Sequence, residues 1–235
     1  MIDNSAIEIA AEAAVPSEYQ VSLGRWRAHL SSGHVRRINA VSLHGEQLDD
    51  ARAIERLSMV LDLYLEHGLR PRIRTTSMDR WIDPLITRWS ESGESIVMVA
   101  ETRPAAVGGT ISIDEWLAWL APRAMSQPRF AEAAASVRRL EADNVIVTMS
   151  HEGQTVGAGR AVSANGVTGL FDITVDPEHR RRGHARAMTR QLMGWAHARA
   201  ESVYLQVAEV NRPAIALYES EGFTERYRYR YRSPD

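Results

Sequence analysis

Two stretches of the 235-residue chain concentrate side chains able to do chemistry: "VDPEHRRRGHARAM" at 175–188 and "NRPAIALYESEGF" at 211–223. The first crowds Arg180, Arg181, Arg182 and Arg186 around Gly183. Guanidiniums gathered at one glycine suit an anion, because charge-assisted hydrogen bonds to phosphate or carboxylate oxygens are the strong kind. The second carries Asn211 and Tyr218. Taken alone, Tyr218 reads more readily as a half-buried core aromatic than as a catalyst.

The flanking patterns show what positions these residues. Upstream of the arginines, 170–175 reads as a strand halted by Pro177, which has no N–H to continue a ladder. Downstream, Ala185, Met188, Leu192, Trp195 and Ala196 fall on one apolar helical face, predicting a helix over 185–200. Gly183 therefore occupies a tight loop before a helix N-terminus, where unpaired N–H groups and the helix dipole favour an anion. Arginines at a helix start oppose that dipole, so their presence argues for a bound anion over a solvated turn. In the second stretch Pro213 suits the first turn of a helix and Gly222 its end.

Composition narrows the classes. A net charge of −2 supplies no global field for nucleic acid or acidic membrane. Cysteine is absent, which excludes disulfides, thiolate metal sites and Cys nucleophiles. All 28 basic residues counted as Lys or Arg are arginine, so a lysine Schiff base and a Walker-type loop are excluded. The acidic opening residues lack the pattern of a signal peptide, and no apolar run reaches the ~18 residues of a membrane span. These features predict a cytoplasmic protein without metal.

The rest of the chain organises into two parts, 1–105 and 106–235, with the Pro/Gly-rich segment 102–112 as the connection. In the first part, 24–46 predicts two strands joined at a Ser-Gly turn, followed by a helix with Ile54, Leu57, Leu61 and Leu65 inward. A short strand at 70–77, a helix broken or started near Pro84 and a buried strand at 94–101 follow. The second part predicts two helices, a three-strand meander, the arginine loop with its helix, and a strand–helix–strand ending in "YRYRYR". That alternation places Tyr on one face of a strand and Arg on the other, a cheaper reading than nucleic-acid stacking.

Together the two motifs resemble the GNAT superfamily of acetyl-CoA-dependent N-acetyltransferases. The family's strand ending V-x-P, then R/Q-x-x-G-x-G/A opening a helix, appears as Val175-Asp176-Pro177 and "RRRGHA" at 180–185, with Ala185 in place of the second glycine. Its N-x-x-A-x-x-L-Y-x-x-x-G-F pattern appears at 211–223. The resemblance covers 144–232 and implies an α/β fold with a mixed sheet, preceded by a smaller α+β domain. That first domain reads either as a degenerate GNAT-like half or as an unrelated accessory.

By position, the resemblance implies that backbone amides at Arg182, Gly183, His184 and Ala185 cradle the CoA pyrophosphate. Arg180 comes first among the side-chain contacts, then Arg181 and Arg182, with Arg186 solvated. Ile173 and Val175 pair with the pantetheine arm, the Val175 N–H polarises the thioester carbonyl, Asn211 touches the arm, and Tyr218 protonates the departing thiolate. Asp172 and Glu209 are alternative general bases; each reads equally as a structurally paired carboxylate. The implied reaction moves acetyl from acetyl-CoA to the primary amine of a small molecule or peptide in a ternary complex. A CoA-binding regulatory module of weak activity is the alternative, and a homodimer is compatible with either. Arg25, Arg27, Arg36 and Arg37 are candidates for an acidic acceptor or are simply exposed strand residues.

Overall fold

Ten strands form one continuous sheet in the computed structural model, which describes residues 3–124 and 126–235. Met1 and Ile2 of the opening stretch, and Met125, lie outside the described residues. In chain order α1 spans Asn4–Ala13, β1 Tyr19–Leu23, β2 Trp26–Leu30, β3 Val41–Ser42, α2 Asp50–Glu66, β4 Ile73–Thr76 and β5 Ser90–Ala100. There follow α3 Ile113–Leu120, α4 Gln127–Arg138, β6 Asn144–His151, β7 Gln154–Ala164 and β8 Val167–Val175. The last elements are α5 His184–His197, β9 Ser202–Ala208, α6 Arg212–Ser220 and β10 Thr224–Ser233.

The sheet order is β1-β2-β3-β4-β10-β5-β9-β8-β7-β6. Most neighbours are antiparallel, with β3–β4 and β8–β9 parallel, so the sheet is mixed. The last strand, β10, is seated between β4 and β5. The expected division at 105/106 therefore crosses an unbroken sheet. The connection at 102–112 lies against α5: Gly108 N donates to Gln191 Oε1 at 2.8 Å, and a Cβ on Gly194 would come within 2.3 Å of the Ala105 carbonyl oxygen.

Helices cover both faces. On one, α5 buries Met188, Leu192, Met193 and Ala196 against Val147, Ala161, Leu170, Val203 and Leu205. On the other, Ile7, Ala10 and Ala11 of α1 pack on Tyr227, Tyr229 and Tyr231 of β10. The period-two tyrosines thus face the core. The intervening arginines meet carboxylates instead: Arg228 with Glu225 and Glu209, Arg230 and Arg232 with Asp83 and Glu91. A second core, from Trp26 to Ile86, lies between α2 and β1–β4.

Three local expectations are corrected. The strand pair expected within 24–46 is β2 and β3, joined by a longer loop because Asn39 Oδ1 accepts from Ser31 N (2.8 Å) and Gly33 N (3.1 Å). β1, unanticipated, closes a tight hairpin on β2 at Gly24-Arg25. The segment Arg80–Ile86 is a 3-10 turn, consistent with Pro84 lacking the N–H an α-helix would use. Finally, α2 buries Ala53, Leu57, Val60 and Tyr64, leaving Ile54 and Leu65 exposed. Tyr64 sets that face by donating its hydroxyl to the His29 carbonyl at 2.8 Å.

Candidate active site

The site is built where two parallel strands part. β8 and β9 pair only over 167–170 with 202–205. Beyond Leu170 the β7–β8 ladder shifts register between Ala158 and Arg160, and Asp172 in β8 takes φ +55°. A bulge bends the strand that carries it, and here the ladder to β9 stops at the same place. Asp176 N donates to Val156 O of β7 at 2.9 Å. N–H groups alternate sides along a strand, so Ile173 and Val175 present theirs to the opening beside β9.

Close by, α5 begins at Gly183, its N-cap, with φ +84° and no side-chain cap. A Cβ there would meet nothing within 4 Å. The space before the first-turn N–H groups is thus open, with exposed Arg180, Arg181 and Arg182 leading into it. Uncapped N–H groups, a left-handed glycine and exposed guanidiniums fit an anion of pyrophosphate type. Arg180 Nε donates to the Val175 carbonyl at 3.2 Å, so this arginine also ties the loop to the end of β8. His184 Nε2 is buried without a hydrogen-bond partner among the described residues.

Two contacts that no local pattern announces hold this loop. Arg123 grips Asp176 with Nε at 2.7 Å and Nη2 at 3.0 Å, and that bond holds the carboxyl below the usual carboxylate range. Arg186, expected to be solvated, instead pairs with the buried carboxylate of Glu221 at 3.1 Å. Arg190 reaches the same carboxylate at 2.8 Å and Arg103 at 3.6 Å. Glu221 closes the C-terminal end of α6, so the arginines of α5 lock the two helices together.

A cavity of about 520 Å3 opens from the parted strands. Phe171, Asp172 and Ile173 form one wall, Leu205, Gln206 and Ala208 another, with Tyr218 from α6 and residues of α3 and α4 completing it. The Tyr218 ring meets Phe223 edge-on at 5.8 Å, and burial pushes its phenol up to about 12. Asn211 caps α6, its Oδ1 accepting from Ala214 N at 3.4 Å.

The two candidate bases differ. Asp172 lines the cavity while paired with buried Arg160 at 3.1 Å. Glu209 is outside the lining, held by Arg228 at 2.8 Å and Arg212 at 3.8 Å. Glu94, which the sequence did not single out, does line it and shares Arg228 at 3.4 Å. Of the four early arginines, Arg36 and Arg37 line the cavity; Arg27 is turned to Glu12, and the Arg25 amide donates to Glu46. Among the described residues no group of His, Cys, Asp and Glu is placed to hold a metal, and no helix is long and apolar enough to cross a membrane.

A mixed sheet whose parallel strands β8 and β9 part beside an open helix N-terminus has the fold of the GNAT superfamily, and the family and relatives that match this chain make it an acyltransferase of that superfamily. Within it, the chain belongs to the family described as "Probable histone acetyltransferase Rv0428c C-terminal", which matches residues 3–232. The uncharacterized N-acetyltransferase YobR of Bacillus subtilis is 23% identical over 99% of both chains. A 57-residue stretch is 44% identical to the ribosomal protein bS18-alanine N-acetyltransferase of Escherichia coli K12, covering 24% of this chain and only 38% of that enzyme. Among solved structures, a GCN5-related N-acetyltransferase from Kribbella flavida superposes with a TM-score of 0.75 at 16% identity, covering 100% of this chain and 97% of the other. A tandem GNAT protein of the clavulanic acid pathway gives 0.66 at 13% identity, covering 98% and 87%. At such identities these two likenesses speak for the fold alone.

Proposed function

We propose that the protein moves acetyl from acetyl-CoA to the primary amine of an acceptor bound in the cavity, by direct attack in a ternary complex. The observation that carries this reading is the parting of β8 from β9 next to the uncapped start of α5, with Tyr218 on the same cavity. When bound, acetyl-CoA supplies an activated acyl carbon and a thiolate leaving group.

The chain's own groups divide the remaining work. The amides of Arg182, Gly183, His184 and Ala185 hold the pyrophosphate, with Arg180 first among the side chains that help. Ile173 and Val175 orient the pantetheine arm by backbone pairing, and Asn211 offers its Nδ2. The Val175 N–H faces the acyl oxygen, where a fixed donor stabilises developing negative charge. The acceptor nitrogen forms the new C–N bond as the C–S bond breaks, Tyr218 giving its phenolic proton to the sulfur. Asp172 takes the first proton of the acceptor ammonium, directly or through water, with Glu209 the alternative base; the second proton, shed by the nitrogen as the amide forms, returns to the Tyr218 phenolate.

Thiol release from acetyl-CoA across a panel of amines tests the reading, with product confirmed by mass. Acetylation of at least one amine, lost in Tyr218→Phe, is the expected result. Acetyl-CoA binding without transfer to any amine would instead favour the regulatory module. An acidic limb in the pH–rate profile that Asp172→Asn leaves in place would remove Asp172 as the base.

A further inference from the structure

The geometry points to an acceptor that carries an anion, a carboxylate or phosphate, beside its amine, held by Arg37 and Gln206. This inference rests on the acetyl-transfer reading above. Arg37 lies in a 3-10 turn, Arg36–Ile38, contributed by the first part of the chain, whereas Gln206 lies on β9. Both line the cavity. Arg37 Nη1 donates to Gln206 Oε1, and the Tyr229 hydroxyl donates to the same oxygen at 3.2 Å. Because a guanidinium only donates, it fixes the amide oxygen towards itself and sends Gln206 Nε2 the other way. Gln206 Nε2 and Arg37 Nε are then both buried donors with no acceptor among the described residues. Leaving such donors unmatched is costly, and an anion is what would match them.

The charges of the cavity agree. Its two carboxylates are already engaged, Asp172 by Arg160 and Glu94 by Arg228. Its other arginines, Arg36, Arg37 and Arg129, have no carboxylate partner within 4.0 Å among the described residues. Nor is the turn carrying Arg37 loose. Glu132 of α4 accepts from the Val35 amide and from Asn39 Nδ2, the latter at 2.8 Å, so buried groups on both sides of the turn set its position. Trp116, Phe130 and Tyr231 supply apolar wall for the acceptor's body.

The test compares acid and neutral partners: L-phenylalanine with L-phenylalaninamide, and O-phosphoethanolamine with ethanolamine, each as acceptor with acetyl-CoA. In the wild type, kcat/KM should favour the anionic member of one pair by about tenfold or more, as a charge-assisted contact implies. Preference in the first pair assigns a carboxylate, in the second a phosphate. Arg37→Gln should bring that ratio towards one, Arg37→Lys should keep part of it, and Gln206→Glu should invert it. A wild-type ratio near one in both pairs overturns the inference, as does a ratio that Arg37→Gln leaves intact. Failure of transfer to all four amines counts against the acetyl-transfer reading instead, and calorimetry without acetyl-CoA then decides this one. Binding of phenylalanine or O-phosphoethanolamine that Arg37→Gln abolishes supports it; equal binding by both proteins, or none by either, overturns it.

Discussion

Tyr218 holds its proton because its ring is packed against the core beside Phe223, where a phenolate would lose its hydration. With the pKa raised from 10.0 to about 12, the hydroxyl remains a donor throughout the neutral range. Tyr218→Phe should lower kcat by about 10²–10⁴, the usual worth of a general acid, while calorimetric affinity for CoA stays unchanged. Since the folded phenol binds its proton more tightly than the unfolded one, its contribution to stability is full below pH 10 and lost as pH rises through about 12. Tyrosinate absorbance, taken as wild type minus Tyr218→Phe, should therefore show no ionisation of this phenol at pH 10. Gly183 gives a second residue-scale prediction. None of the described residues meets a Cβ there, so only the left-handed φ and the anion proposed above demand glycine. Gly183→Ala should cost about 1 kcal/mol in urea unfolding through its φ and raise KM for acetyl-CoA about tenfold by crowding the cradle. An unchanged KM would remove the pyrophosphate from this helix end.

Between elements, the contacts that matter are arginine–carboxylate pairs from distant parts of the sequence. Arg160 on β7 is 2% exposed and depends on Asp172 at the bulge of β8. Asp172→Ala leaves that guanidinium with the Ala14 carbonyl at 3.2 Å and, because Asp172 is itself half-exposed, should destabilise the fold by only about 1 kcal/mol, read from urea midpoints. Activity lost in that variant is therefore no proof of a base; the pH profile of Asp172→Asn is the separate measurement. These pairs mark the limit of what could be read from the chain. Val175-Asp176-Pro177, Gly183 and the face of α5 were legible because each is decided within a few residues, by a missing N–H, a positive φ or a 3.6 period. Arg186–Glu221, Arg123–Asp176 and Arg37–Gln206 join residues that only the folded sheet brings together. The inward face of α2 was misread by the same limitation: Tyr64 has its partner on β2, so Ile54 turns out while Val60 turns in.

At the scale of the molecule, the two cores are distinct but the sheet is one. Trp26, Val41, Val60 and Ile73 belong to the core under α2, while β5 sends Ile96, Met98 and Ala100 into the core under α5. A fragment of residues 106–235 would lack both neighbours of β10, β4 and β5. Such a fragment should show neither a cooperative thermal transition nor acetyl-CoA binding by calorimetry. A fragment that melts cooperatively would establish 106–235 as an independent unit. The seating of β10 also has a consequence for how the chain comes off the ribosome. β4 and β5 are made long before the strand that must slot between them, so while residues 101–223 are being synthesised each keeps an open hydrogen-bonding edge. The gap is filled only when Thr224–Ser233 emerges, so the nascent chain spends about half of its synthesis with at least two sticky edges exposed. Slow translation or a scarce chaperone should then lower this protein's yield, a vulnerability that belongs to the order of its strands.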